Sequence, residues 1–403
     1  MTAAPFRERV ANANIVPGPK PVVAEIHATP FVWRDPRAIP VRPWVYGRWL
    51  LRGTVTAVVA PGGVGKSSFM ASTVLALATG RSLLGKQVWG GPQRAWYWNL
   101  EDDGDELARQ IQAAAIHHRI DQMDCGDRLF IDSALEGNEL CVAIEGAEGG
   151  AIQRPVIHAL EAELRNQAVD VLIVDPFVSS HRVSENDNGL IDDVVKEWAK
   201  LAKRSGCSIV LVHHSKKLNG VKVTAEASRG ASSLVAAARS TLVLNRMDEA
   251  EATKFGIEND DERRRLFTVQ DDKHNRAPAE KATWFRMASQ DLGNGEGAHG
   301  DNIGVVTCWS PPDAFDGISA DHLLRAQRAI SAGSYRENQQ ATDWVGQPVG
   351  DVLGIDADSK PGKARLRQII RTWIDNGALI VVDGKDERRK PVKFVQVGEW
   401  ADQ

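Results

Sequence analysis

Residues Ala60-Pro-Gly-Gly-Val-Gly-Lys-Ser67 stand between a short β-branched run, Thr54–Ala60 (TVTAVVA), and a helical stretch, Ser67–Thr79. A strand that breaks into closely spaced glycines and continues as a helix is suited to wrap its backbone around an anion. Gly62, Gly63 and Gly65 let successive N–H groups turn inward. The helix starting near Ser67 aims its positive dipole end at the same point. The run fits GxxxxGK[ST] except that Ala60 replaces the first glycine. In that pattern Lys66 reaches the β/γ oxygens of a nucleotide and the Ser67 hydroxyl ligates Mg²⁺. The expected nucleotide contacts are Pro61, Gly62, Gly63, Val64, Gly65, Lys66, Ser67 and Ser68, and the expected cofactors are ATP and Mg²⁺.

The sequence around this loop alternates strand and helix. Strands are expected at Ala95–Leu100 (AWYWNL), Val169–Val174, Cys207–Val212 and Ser240–Leu244. Helices are expected at Glu106–Ala115, Pro155–Gln167 and Ile191–Ser205. The runs at 169–174 and 207–212 are apolar on successive residues, as in strands buried on both faces of a parallel sheet. The expected fold is therefore α/β, an open and mainly parallel sheet with ligands at the carboxyl ends of its strands. Composition sets few further limits on the chain. At 403 residues with 43% hydrophobic and 25% charged residues it is long enough for two or three domains and is neither disordered nor fibrous. No run reaches the ~18 apolar residues of a membrane helix, and the N-terminus has no apolar leader block. Cys125, Cys141, Cys207 and Cys308 lie far apart, without CxxC spacing, as in a reduced cytoplasmic protein. A net charge of −4 confines any basic patch to one part of the chain.

Three strand ends carry further chemistry. Asp175 closes VDVLIVDPF, where a Mg²⁺-organising acid belongs. Glu101 follows the AWYWNL strand and can orient and deprotonate an attacking water, although EDDGDE also reads as a solvated acidic turn. The run ending in His213-His214 places an imidazole where a γ-phosphate could be sensed, or two satisfied core histidines. His214 is the expected site residue of the pair. Lys216, Lys217, Lys222 and Arg229 lie in the polar stretch that follows.

In order and spacing, the loop at 60–67, WYWNLEDD, VDVLIVDPF, SSHRVSENDNG (179–189), VLVHHSKK (210–217), SRGASSLVAAARSTLVL (228–244) and KHNRAP (273–278) resemble the RepA-type RecA-like ATPases. These are related to the DnaB-family hexameric helicases of plasmids and phages. The resemblance covers about residues 41–290. It implies a ring of identical subunits, a hexamer, with nucleotide between neighbours and an arginine finger from the next subunit; Arg239 is the residue so placed. Lys273 and Arg276 fall where DnaB-like proteins have a Lys-x-Arg pair, but Asn275 interrupts the pattern here. The resemblance also implies two loops facing a channel that tracks single-stranded DNA, at 179–189 and 215–229, with Lys216, Lys217, Lys222 and Arg229 of the second as the expected contacts. Neither contains an aromatic residue for base stacking.

The flanks read differently from this core. Residues 1–40, rich in proline, read as an extended arm, either a disordered tail or a strap on a neighbouring subunit. The ATPase domain is expected over 41–295, a linker over 296–318 and a winged-helix-like unit over 319–403. The last has helices at Ser319–Ala332, Trp344–Leu353 and Lys363–Asn376, then strands at Ala378–Val382 and Val392–Val397. Residues 360–393 hold ten basic residues against four acidic ones, the electrostatic footprint of phosphate-backbone binding. Lys363, Arg367, Arg371, Arg388 and Arg389 are the expected duplex contacts, unless the unit only packs on protein. The leading expectation is thus an ATP-driven ring helicase acting in DNA replication. A RecA-fold ATPase that loads, mediates recombination or serves in defence without unwinding is the alternative. A small-molecule kinase has no use for the basic unit, and a nucleotide-switched regulator would turn over slowly.

Overall fold

The computed structural model describes residues 27–401 apart from 147–148, 186, 216–221, 226–231, 275, 279, 297–298 and 387–388. Two units separate, Met1–Arg42 and Pro43–Gln403. The described part of the first is extended, with one 3-10 turn at Pro36–Ala38 whose Arg37 N–H is capped by Asp35 Oδ1 at 2.9 Å. Phe31, Val32 and Trp33 stand exposed on it.

The second unit opens with a small pair, β1 (Trp44–Tyr46) and β2 (Leu50–Leu51), before β3 (Val55–Pro61) and α1 (Lys66–Thr79). Then come β4 (Ala95–Asn99), α2 (Gly104–His118), β5 (Leu129–Ser133), a hairpin of β6 (Ala143–Gly146) and β7 (Gly149–Ile152), α3 (Arg154–Asn166) and β8 (Val171–Asp175). Next are α4 (Asn188–Ser205), β9 (Ser208–Ser215), α5 (Ser232–Ala237), β10 (Ser240–Arg246), α6 (Glu249–Phe255), α7 (Asp260–Arg265), β11 (Leu266–His274), β12 (Thr283–Asp291) and β13 (Asn302–Cys308).

Nine of these strands form one sheet in the order β13-β12-β11-β10-β3-β9-β8-β4-β5. From β10 to β5 every pairing is parallel, and β11, β12 and β13 extend it antiparallel. The central strands are buried on both faces because successive residues alternate between two cores. Val171, Ile173, Val210 and Val212 pack on the side of α1, whereas Leu172, Val174, Ile209 and Leu211 face the α4 side with Trp198. The continuous apolar runs in the sequence are this double burial.

Two expectations change. The span 296–318 is not all linker, because Asn302–Cys308 pairs along its length with β12. Its alternation decides this: Ile303 and Val305 pack toward α1 and α2, while Val306 joins the main core. The sheet therefore extends past residue 295. The 179–189 segment is likewise not a free loop. Val142 N–H donates to Ser180 O, Arg182 N–H to Ala143 O and Glu145 N–H to Arg182 O, which ties it to β6. Ser180, His181 and Val183 are buried there.

The rest of the chain is α8 (Ala320–Ser331), β14 (Tyr335–Arg336), α9 (Gly346–Leu353), α10 (Lys360–Asp375), β15 (Leu379–Lys385) and β16 (Pro391–Val397), with an antiparallel sheet in the order β14-β16-β15. Leu366, Ile369, Ile370 and Trp373 of α10 bury into a core with Trp344, Val349, Leu379 and Val395. Ser359 caps α10 by accepting from Gly362 N–H at 3.1 Å, and Gly377 at φ +83 lets the chain reverse after it. Among the described residues no helix is long and apolar enough to cross a membrane.

Candidate active site

The phosphate loop leaves β3 at the carboxyl edge of the sheet, next to β9 and one strand from β8. Gly65 sits at φ +103, a conformation that disfavours a side chain, and precedes the first residue of α1. No side chain caps α1, so its first N–H groups remain directed at whatever the loop holds. Ser67 and Ser68 lie half-buried in its first turn.

Lys66 is buried, and its Nζ lies 2.7 Å from Asp175 Oδ1 and 2.8 Å from His214 Nε2. Asp175, itself buried, also accepts from the Tyr97 hydroxyl at 3.0 Å. Burial, reinforced by the Asp175 charge, pushes the Tyr97 phenol far up, so it remains a donor. Glu101 is half exposed, with Oε2 3.6 Å from His214 Nε2. Its turn is set by Asn99, whose Oδ1 accepts from Glu101 N–H at 2.8 Å and Asp102 N–H at 2.7 Å. The structure thus brings Lys66, Asp175, Glu101 and His214 around one point beside Ser67. Among the described residues no three His, Cys, Asp or Glu side chains form a cation cage. Ser67 and Asp175 offer the hard oxygen donors that fit Mg²⁺, an ion usually held by one or two protein oxygens plus nucleotide phosphates.

Period-two alternation explains why Tyr97 and Asn99 matter. They point to the site face of β4, while Trp96 and Trp98 stack on the other at 4.8 Å between ring centroids. The pattern AWYWN carried that signal, and sequence reasoning passed over both residues. His213 points away from His214 into the core, and burial drives it to about 4, with help from His214, Lys66 and His181. Its Nδ1 faces Glu185 Oε1 at 3.6 Å.

Two residues came from no motif. Arg246, the last residue of β10, donates to the carbonyl oxygen of Gly63. Met287 of β12 presses on the loop from another side, so that a Cβ at Gly65 would stand 2.7 Å from its Sδ. Both are carried by strands that sit beside the loop only through sheet order.

Arg239 lies elsewhere. Its backbone N–H donates to Val55 O at the start of β3, while the loop begins at the other end of that strand, about 20 Å away over seven residues. It lines a cleft with Gly53, Thr54, Ala199, Lys200 and Arg276. Lys273 is engaged in structure: its Nζ donates to Val235 O at 2.7 Å and Ala236 O at 2.9 Å, closing the end of α5.

Of the expected DNA contacts, Lys216, Lys217, Arg229 and Arg388 lie outside the described residues. Lys222 is neutralised by Glu251 and by Asp248 at 3.2 Å, which corrects its expected availability to a phosphate backbone. Lys363, Arg367 and Arg371 share one side of α10 at helical spacing, the first half-buried and the others exposed. Arg389 is exposed at the turn between β15 and β16 with φ +62.

Residues 20–220, just under half of the chain, match the family model described as an AAA domain (AAA_25). With the mostly parallel sheet and the loop at 60–67, this match supports placing the chain among the AAA/P-loop ATPases, with nucleotide-dependent ATPase activity.

Proposed function

We propose that this protein is a ring-forming ATPase of the RepA/DnaB-like kind that moves on or unwinds DNA. The observation that carries the reading is the division of the site across the sheet. Lys66, Ser67, Asp175, Glu101 and His214 gather at the carboxyl edge, and Arg239 stands beside Val55 at the opposite end of β3, out of reach of its own loop. A cation placed there can complete a nucleotide site only on a second copy of the chain. Repeated head to tail, that contact closes into a ring, and the finger stabilises charge building on the γ-phosphate. Glu101 positions and deprotonates the attacking water, while Ser67 and Asp175 hold Mg²⁺ brought in with the nucleotide. Hexameric assembly and a role in replication rest on the family resemblance alone.

The last unit runs helix, strand, helix, helix, strand, strand, the order of a winged helix-turn-helix. We take it as a duplex-binding module in which Lys363, Arg367 and Arg371 of α10 meet the major groove and Arg389 the backbone. One observation favours a second reading, an ATPase that loads or remodels without unwinding. The 179–189 segment, which would line a channel, is tied to the β6–β7 hairpin, and its Arg182 faces Glu139 at 3.7 Å.

Steady-state ATP hydrolysis with and without single-stranded and duplex DNA tests the proposal, beside Lys66→Ala and Glu101→Gln. Stimulation by single strands, abolished in both variants, supports a translocating ring, and strand displacement then separates the two readings. Hydrolysis indifferent to all DNA sinks the motor reading.

A further inference from the structure

Arg246 ends β10, the strand that flanks β3 on the side away from β9. Its guanidinium reaches across to the phosphate loop and donates to Gly63 O, the one side-chain interaction it makes among the described residues. A Cβ built on Gly63 would stand 3.6 Å from its Nη2. The nearby acids do not neutralise it: Asp248 and Glu251, two and five residues further on, are both taken by Lys222. Elsewhere Arg52 pairs with Asp170 at 2.6 Å and Lys86 with Glu280 at 2.7 Å. Lys66, on the other flank of the loop, is balanced by Asp175. Among the described residues, Arg246 is therefore a guanidinium without a counter-ion, resting on a backbone carbonyl in the turn that is shaped to hold an anion.

We propose that Arg246 is a nucleotide-binding residue acting within its own subunit. Its guanidinium exchanges the Gly63 carbonyl for phosphate oxygens of the bound nucleotide. The loop backbone cradles the α- and β-phosphates, whereas the loop lysine serves the β- and γ-phosphates. Arg246 touches the loop at Gly63, three residues before Lys66, and so belongs with the first group. A planar fork of donors suits two phosphate oxygens better than a single carbonyl, and the charge-assisted bonds are the stronger ones. This assignment rests on the reading of the loop as an ATP site. It is separate from Arg239, which stands at the far edge of the sheet.

The test is calorimetric titration of the full chain with ATP and with ADP, both with Mg²⁺, for wild type, Arg246→Ala, Arg246→Lys and Lys66→Ala. Thermal unfolding without nucleotide accompanies each variant. Arg246→Ala should weaken ATP and ADP alike, by about tenfold or more, and leave the nucleotide-free melting temperature unchanged. Arg246→Lys should recover part of the loss, and Lys66→Ala should hurt ATP more than ADP. Wild-type affinity for both nucleotides in Arg246→Ala overturns the proposal while leaving the ATP site intact, as does a loss confined to ATP. A fall in the nucleotide-free melting temperature that accounts for the weaker binding overturns it too, by giving Arg246 to loop stability. A wild-type chain that binds neither nucleotide takes down the ATP reading and this proposal together.

Discussion

Lys66 Nζ lies 2.7 Å from Asp175 Oδ1, and both side chains are almost fully buried, at 7% and 2% exposure. Each is the other's buried partner. Asp175→Asn or Lys66→Ala alone should lower stability by about 3–5 kcal/mol, because either leaves a buried charge uncompensated. The double variant should cost less than the sum of the two. Chemical denaturation of the four proteins of the cycle checks this, and additive losses would show that the pair is not coupled.

Glu101 has little structural work to do: it is half exposed and touches His214 only at 3.6 Å. Glu101→Gln should leave folding and ATP affinity near wild type and lower the hydrolysis rate about 100-fold or more. Turnover within a few-fold of wild type would return the EDD turn to a solvated surface role.

Because Arg239 and Lys66 sit at opposite ends of β3, Arg239→Ala and Lys66→Ala should each abolish hydrolysis, the former by about 10³-fold or more. Mixed together they should regain measurable activity, since some interfaces then pair an intact loop with an intact finger. A mixture as inactive as its components would argue against a site shared between subunits.

Gly65→Ala meets two obstacles, the backbone at φ +103 and the Met287 sulfur at 2.7 Å from the new Cβ. The variant should lose about 1–3 kcal/mol and most of its nucleotide affinity. Adding Met287→Ala should relieve the contact and leave the backbone strain, giving partial recovery in thermal unfolding. Full recovery would mean that the methionine alone opposed the change.

Low pH should weaken the fold through its buried histidines. Burial drives His213 and His181 from 6.5 to about 4. Around His213 the charges of His214, Lys66 and His181 act in the same sense, with Glu185 3.6 Å from its Nδ1. Between those values the unfolded chain binds protons that the folded chain refuses. The contribution is thus complete above about pH 6.5 and is lost as pH falls toward 4, at most about 3 kcal/mol per histidine. Melting temperature followed from pH 7.5 to 4.5 should fall less steeply in His213→Gln than in wild type. Equal slopes would assign the acid sensitivity to other groups.

The sequence by itself determined the phosphate loop and the parallel core. Glycine placement, β-branched runs and strand–helix alternation are local, and they act within a few residues of where they are written. For the same reason Lys66 was legible from the loop motif, and Asp175, Glu101 and His214 from the ends of their strands. Only the tertiary structure decided what depends on strand order. Asn302–Cys308 became an edge strand because a partner lay beside it, and the 179–189 segment was drawn into the hairpin over Ala143. Lys222 and Lys273 were spent on contacts with residues well separated in sequence, Glu251 and Val235. Arg246 and Met287 reached the loop from strands that share no motif with it. Such contacts follow from which strands become neighbours, and a one-dimensional pattern of residue types carries that information only weakly.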